Sequence, residues 1–419
     1  MSSRLKGVVY TVGSALVTLI FIPIVVLVVL ARKWVFVGFG QLVTLRIGHF
    51  ARNTELVLCE SDERRRLTGK RSVEIWTFEV KQGTLLPDVC NEQLALMWKR
   101  VMRIWPVWLV GPALKATDLV PGGQKHRLQS GLADDRDVLD LMFGRAPHLQ
   151  FTQSEIELGA SLLEDFGVPR DSTVVCLNVR DSAYLSATFS NDFSYHDYRD
   201  SAINDYVLAA ETLAAEDCFV LRMGHTVHEP FDSHDPHLID YANDRRRTAF
   251  LDIYLAWRCS FAISTGSGWD SVAAIFRKPI LYVNHTPIGC MFTSEPSALA
   301  IFKWHVRQAD GRRLSLAEIF ETQLAYAQDS ISFEQAGVSL IDNSPQEIRD
   351  ASLEMWSRLQ ESWTPKSGDD VLQERFKANF NTGPNPLTGM EMHGSFRALC
   401  GAQILRDNPW FVADHQPQC

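Results

Sequence analysis

The sequence predicts an α/β protein with two globular halves behind one N-terminal transmembrane helix, the second half being Rossmann-like. Three features lead to this prediction: an uncharged apolar run near the start, a strand–loop–helix unit after it, and alternating apolar strands and helices in the second half. The 419 residues suffice for two domains. We expect an anchor at 1–33, a first domain at 34–150, a second at 151–340 and a docked tail at 341–419.

Composition restricts the class of protein. With 46% hydrophobic and 22% charged residues the chain is globular, and a net charge of −9 argues against binding to nucleic acid, which favours basic surfaces. The eight cysteines are scattered without a CxxC pair, as in proteins of a reducing compartment.

The N-terminal anchor is predicted from residues 7–31, which carry no charged side chain. As a helix this run covers the ~30 Å hydrocarbon core of a bilayer. More cations follow the run than precede it, which predicts a single-pass protein of the inner membrane with a cytoplasmic body. The alternative is a helix lying in the membrane interface, kinked at Pro23. The cations are Arg32, Lys33, Arg46 and Arg52 after the run, and Arg4 and Lys6 before it.

The first half opens with a predicted strand at 34–38, then a glycine-containing segment and a helix to about residue 60. Arg46, His49, Asn53 and Glu55 lie near the start of this helix, where α/β domains place ligands. A plain Arg46–Glu55 ion pair and a packed His49 are the alternatives. Further on we predict a strand at 73–78, a helix at 91–104, and loops over 112–150 with a short helix near 135–143.

The second half alternates regularly. A capping box formed by Thr152 and Glu155 opens a helix to about residue 166, and another at Ser344 and Glu347 opens a helix to about 361. Between them we predict strands at 174–179, 219–221, 261–263 and 280–283, with helices at 205–215, 250–258 and 269–276. Unbroken apolar strands of this kind indicate a parallel sheet covered on both faces.

Polar residues follow three of these strands at the same edge of the predicted sheet. Arginine suits phosphate because its planar fork donates two parallel hydrogen bonds, and small residues before a helix expose backbone N–H groups and hydroxyls to an anion. The sequence therefore predicts a diphosphate site here. A surface Arg180–Asp181 pair and an ordinary connecting loop are the alternatives. The predicted site residues are Arg180, Asp181, Arg222, Ser264, Thr265, Gly266, Ser267 and Gly268.

A histidine-rich segment at 225–240 offers imidazole and carboxylate groups, the usual donors to zinc or manganese. Its spacing matches no metal site, and its prolines are typical of an open polar loop. We therefore expect no metal and no cofactor.

Several long segments resemble the sequences of a bacterial group of membrane-anchored glycosyltransferases associated with surface polysaccharide. They are RIGHFARNTEL, VCLNVRDSAYL, YHDYRDSAINDYV, FVLRMG and DIYLAWRCSFAISTGSGWDSVAAIFRKPILYVN. Asn178-Val179-Arg180-Asp181 more weakly resembles the strand end that binds the donor diphosphate in two-domain GDP-fucose transferases. Only the arginine and the acid of that family's pattern are present here. The resemblance implies a GT-B-like fold, in which two Rossmann-like domains face a cleft. It also implies that the second domain binds the nucleotide-sugar, that the first binds the acceptor, and that the last helix returns to the first domain.

The resulting hypothesis is transfer of a sugar from a nucleotide-diphosphate sugar to a lipid-linked cell-envelope or surface-polysaccharide acceptor. Arg180, Arg222 and the 264–268 loop would stabilise the leaving diphosphate without a metal. Glu55 or His49 would take the acceptor proton if the reaction inverts, with Arg46 and Asn53 on the acceptor side. The alternatives are a pyruvyl or phosphoglycosyl transferase of envelope polymers, and a non-catalytic anchored scaffold.

Overall fold

The computed structural model describes residues 3–81, 84–130, 135–183 and 194–413, with side chains of the first helix from Val17 onward. Contacts divide the chain into two compact units. The first comprises residues 1–135 and 144–150, and the second comprises 136–143 and 151–419.

The first unit contains a three-stranded parallel sheet in the order β1–β2–β3. Its strands are β1 (Val35–Gln41), β2 (Arg71–Thr77) and β3 (Arg103–Ile104). Its helices are α1 (Ser3–Ala31), α2 (Ile47–Thr68), α3 (Glu92–Val101) and α4 (Val107–Leu119). The predicted strands at 34–38 and 73–78 and the helix at 91–104 are confirmed within a few residues.

Two predictions about the segment 112–150 are wrong. Helix α4 occupies part of the segment predicted as loop, because its apolar face packs against α1 and the sheet and outweighs Pro112. The short helix near 135–143 is absent; there the Asp137 carboxylate accepts hydrogen bonds from the backbone N–H groups of Leu141 and Met142 and fixes a turn instead.

The predicted anchor lies partly outside the described side chains. Residues 3–31 form one helix, α1, which packs through Phe21, Val25 and Val28 against the first unit. Among the described residues, no helix is both long enough and apolar enough to cross a membrane, so the predicted transmembrane helix is not found there. The anchor and the membrane location stay predictions.

The second unit is built on a seven-stranded, fully parallel sheet in the order β12–β9–β8–β7–β4–β5–β6. The strands are β4 (Thr173–Asn178), β5 (Cys218–Arg222), β6 (Leu238–Ile239), β7 (Phe261–Ser264), β8 (Ile280–His285), β9 (Leu299–Phe302) and β12 (Leu399–Cys400). An antiparallel pair lies beside it, β10 (Trp304–Arg307) with β11 (Val338–Ile341). The four predicted strands are confirmed, and β4, β7 and β8 are buried almost throughout, as expected for a parallel sheet.

The helices of the second unit follow the predicted order. They are α5 (Gln153–Glu164), α6 (Val207–Ala214), α7 (Ala249–Arg258), α8 (Asp270–Ile275), α9 (Leu316–Glu321), α10 (Ser330–Gln335), α11 (Pro345–Leu359), α12 (Asp369–Asn379) and α13 (Ala402–Asp407). Both predicted capping boxes form, at Thr152 and at Ser344. The described part of the tail packs within this same unit, where it adds strand β12 to the edge of the sheet.

Candidate functional site

The candidate site lies at the carboxyl edge of the seven-stranded sheet. Strands β8, β7, β4 and β5 are neighbours and parallel, so their last residues meet at one edge. These residues are His285, Ser264, Asn178 and Arg222. Three of the four strand ends are those at which the sequence predicts a diphosphate site.

The 264–268 loop connects β7 to the short helix α8. The Ser264 hydroxyl donates to Asp270 Oδ2 at 3.0 Å and accepts from the Gly266 N–H at 3.2 Å. Thr265 Oγ1 accepts from the Arg180 N–H at 3.0 Å, and Ser267 Oγ accepts from the Asn178 amide. The hydroxyls predicted to bind phosphate therefore bind protein groups here, and they join the loop to the end of β4.

Two arginines meet beside this loop. Arg199, at the end of a 3₁₀ helix (Ser194–Arg199), donates from its guanidinium to the Gly266 carbonyl. Arg180 Nε lies 3.2 Å from Asp200 Oδ1. Burial, reinforced by the nearby Arg199, lowers the pKa of Arg180 to about 10, and Asp200 acts in the opposite direction. Two guanidinium groups in a partly buried position repel each other, and an anion bound between them would offset this repulsion.

Asp200 is the main acidic group beside the arginine pair. Burial raises the pKa of Asp200 to about 6, against the opposing effect of Arg180. The ammonium of Lys303 donates to the Asp200 carbonyl at 2.6 Å and lies 2.8 Å from Asp342 Oδ1. At neutral pH Asp200 is thus largely ionised and offsets only part of the local positive charge.

The end of β8 adds a buried histidine. His285 is 5% exposed, and among the described residues neither of its ring nitrogens has a hydrogen-bond partner. Gly266 lies against this ring with φ = 78°, and a Cβ at that position would stand 2.7 Å from His285 Nδ1. Burial, together with the charges of Arg199 and Arg136, lowers the pKa of His285 to about 3, so the imidazole is neutral. A buried polar ring without a partner indicates a position where a ligand group can bind.

Arg222 contributes differently from the prediction. Its side chain is 1% exposed, and its Nη1 donates to the Glu229 carbonyl at 2.7 Å and lies 3.4 Å from Asp240 Oδ1. Its Nη2 lies 3.9 Å from Asp181 Oδ2. Asp181 also accepts from the backbone N–H groups of Ala183 and His228, each at 3.0 Å. The contact between Arg222 and Asp181 therefore fixes the segments that follow β4 and β5. The guanidinium of Arg222 is enclosed by protein.

The predicted residues of the first unit lie along one helix, α2. Arg46 occupies the N-cap position and is exposed, and His49 is half-buried one turn later. Asn53 and Glu55 are fully buried. Glu55 Oε1 lies 3.1 Å from His148 Nδ1, and His148 Nε2 lies 3.1 Å from Asp62 Oδ2. The role of Glu55 or His49 as a base stays a prediction, and of the two only His49 has exposed surface.

The Glu55–His148 contact includes a third donor, Cys59. One ligand atom from each of these residues lies within 4.8 Å of the other two, and this is the group of the described chain that could hold a metal ion. Burial alone would lower the pKa of His148, but hydrogen bonds with Cys59, Glu55 and Asp62 outweigh it and raise the pKa to about 10. The charged imidazolium is thereby stabilised between two carboxylates.

The histidine-rich segment at 225–240 forms no such group among its described residues. His237 Nδ1 lies 3.1 Å from Asp235 Oδ1, and His228 Nε2 lies 3.2 Å from the Ser182 hydroxyl. These contacts are those of a polar loop.

Sequence reasoning missed Arg199 and His285. His285 follows the rule that located the other residues, since it ends a buried strand, but the strand was predicted to stop at Val283. No local pattern distinguishes Arg199, because its partner Gly266 lies 67 residues further along the chain.

No protein-family model and no curated protein matches this sequence. Among solved structures, similarity is found to a family 9 glycosyl transferase from Veillonella parvula, with 10% identity, 77% of this chain and 98% of that chain covered, and a TM-score of 0.41. The ADP-heptose lipopolysaccharide heptosyltransferase II of E. coli is 15% identical over 78% of this chain and 100% of that chain, with a TM-score of 0.38. The E. coli heptosyltransferase WaaC, solved with ADP-2-deoxy-2-fluoro heptose, is 11% identical over 63% of this chain and 92% of that chain, with a TM-score of 0.34. Similarities this distant do not assign a function to the chain.

Proposed function

We propose that this protein is a GT-B-like glycosyltransferase that moves a sugar from a nucleotide-diphosphate sugar to a cell-envelope or surface-polysaccharide acceptor. The observation that carries the proposal is the convergence of Arg180 and Arg199 on the 264–268 loop, next to the buried ring of His285, which has no hydrogen-bond partner in the described part of the chain. Cations and a neutral N–H donor at the carboxyl edge of a parallel sheet suit a diphosphate.

The chemistry follows from where charge develops. Glycosyl transfer builds positive charge on the sugar ring and negative charge on the departing diphosphate. Arg180 and Arg199 would stabilise that negative charge, and His285 would donate its N–H to a phosphate oxygen. The role proposed for Arg222 is indirect, because its guanidinium is engaged by Asp181, Asp240 and the Glu229 carbonyl. It would position the loops that hold the donor.

The acceptor is proposed to bind the first unit near the start of α2. His49 is the better candidate for the base that takes the acceptor proton, because Glu55 has no exposed surface and lies against His148. Arg46 is exposed at the same helix start and would contact an anionic acceptor group. A lipid-linked acceptor would agree with the proposed single-pass anchoring in the inner membrane.

Ligand-induced thermal stabilisation tests this proposal. Full-length protein is heated with UDP, GDP, ADP, CMP or dTDP and their sugars, and one nucleotide family is expected to raise Tm by several degrees at saturation. Arg180→Gln is expected to abolish the shift. Arg170→Gln is the matched control, because Arg170 pairs with Glu157 and Glu164 on the surface of the same unit. A folded wild-type protein that no nucleotide stabilises would refute the donor site.

A further inference from the structure

The first unit contains a cavity of about 680 Å³ whose lining is strongly basic. It is formed where three segments meet: the residues after α1, the C-terminal turn of α2 with the connection to β2, and the segment after α4. Six of its ten lining residues are cations, namely Arg32, Lys33, Arg64, Lys70, Lys125 and Arg127. The proposed glycosyl transfer does not use this cavity.

Most of this positive charge is not offset. Arg64 lies 2.5 Å from Glu74 Oε1, and Arg127 lies 2.7 Å from Asp118 Oδ2. Within the described part of the chain the other four cations have no carboxylate partner. An excess of about four positive charges around one cavity, in a chain of net charge −9, attracts a multiply charged anion.

The cavity also has an apolar part. Phe36 and Leu128 line it, and the Phe36 ring stacks on His126 with centroids 5.6 Å apart. The Arg64 guanidinium lies 4.9 Å from the centre of the Phe36 ring, which holds its charge near the cavity. This combination suits an anionic group that is attached to an apolar body.

The neighbouring helix indicates the source of such an anion. Helix α1 leads directly into Arg32 and Lys33, and one side of its described portion exposes Leu19, Ile20, Leu27 and Leu30 at 58–67%. Trp34 is 67% exposed immediately after these cations. An apolar helix face that ends in cations and a tryptophan is typical of the lipid–water interface, where basic residues bind phospholipid headgroups.

We propose that the basic cavity binds the phosphate headgroup of an anionic phospholipid. The lysines and arginines neutralise the phosphate, and Phe36 and Leu128 contact the glycerol and the first acyl carbons. A phospholipid headgroup and a soluble phosphate compound both offer a phosphate to this cavity. The test therefore distinguishes these two sources.

The test measures Tm of the full-length protein in a non-ionic detergent. Dihexanoyl phosphatidylglycerol is expected to raise Tm by about 3 °C or more, and dihexanoyl phosphatidylcholine, whose phosphate is neutralised by choline, is expected to leave Tm unchanged. Inorganic pyrophosphate represents the soluble source. All arms use Arg180→Gln protein, so that the proposed donor site does not contribute.

Charge reversal assigns the effect to the cavity. The double variant Lys70→Glu/Lys125→Glu changes two exposed side chains and is expected to remove the shift. Lys366→Glu/Lys377→Glu is the matched control, with two exposed lysines of the second unit, and is expected to retain it. The proposal is overturned if phosphatidylglycerol gives no shift, or if the shift survives in the cavity variant. Stabilisation by pyrophosphate alone, lost in the cavity variant, would overturn the lipid assignment.

Discussion

Gly266 is the residue on which the geometry of the candidate site depends most. Its φ of 78° is unfavourable for any residue with a Cβ, and that atom would stand 2.7 Å from the buried His285 ring. Gly266→Ala is therefore expected to lower the free energy of unfolding by about 1–3 kcal/mol and to displace His285. Nucleotide stabilisation should fall with it.

Gly311 provides the control for backbone strain alone. Its φ is 70°, but nothing lies within 4 Å of a Cβ placed there. Urea unfolding of the two alanine variants separates strain from collision. Equal destabilisation of both, with nucleotide binding intact in Gly266→Ala, would show that the contact with His285 does not matter.

His148 should make stability depend on pH in the first unit. Its pKa is raised from 6.5 to about 10 in the folded protein, so its contribution is complete below pH 6.5 and is lost as the pH rises towards 10. In that window the stability difference between wild type and His148→Gln should shrink by about 1.4 kcal/mol per pH unit. Urea unfolding at pH 6, 7, 8 and 9 measures it. A difference that stays constant with pH would contradict this.

At the scale of elements, the capping box at Ser344 is expected to stabilise α11. The Ser344 hydroxyl accepts from the Glu347 N–H, and the Glu347 carboxylate accepts from the Ser344 N–H at 2.7 Å. Ser344→Ala should cost about 1 kcal/mol of stability in thermal or urea unfolding. Ser357→Ala in the last turn of the same helix is the control and should not destabilise, because alanine favours a helix. An equal loss in both variants would mean that the cap is not responsible.

The sequence was most informative for the elements of the second unit. Strands β4, β5, β7 and β8 were predictable because fully buried parallel strands appear as short apolar runs between turn signals. The carboxyl-edge rule then brought Arg180, Asp181 and the 264–268 loop together. Helix α4 was not predictable, since it depends on packing against α1 in spite of Pro112.

The contacts of the site residues could not be predicted from the sequence, because their partners lie far apart along the chain. Arg222 was predicted to contact the donor, but Asp181 and Asp240 enclose its guanidinium. The hydroxyls of Thr265 and Ser267 were predicted to bind phosphate, and each also accepts a hydrogen bond from a protein group, the Arg180 N–H and the Asn178 amide. Their contact with phosphate stays a prediction. Spacing in a sequence shows which residues reach one sheet edge and does not show which protein groups they bind there.

For the whole molecule, positive charge is concentrated against a net charge of −9. One concentration is the Arg180 and Arg199 pair of the second unit, and the other is the basic cavity of the first. Each unit thus carries its own proposed position for an anion. In the proposed reaction the Arg180 and Arg199 pair holds the leaving diphosphate, and charge stabilisation there should dominate the rate.

The proposed donor site is tested most directly by the rate at which the full-length protein releases nucleoside diphosphate from the nucleotide sugar that stabilises it. The release is measured with and without a bacterial lipid extract as the source of acceptor. We expect release that the extract accelerates, and a rate at least about 100-fold lower in Arg180→Gln, with Arg170→Gln close to wild type. Release at the same rate in Arg180→Gln and wild type would show that Arg180 does not stabilise the leaving diphosphate.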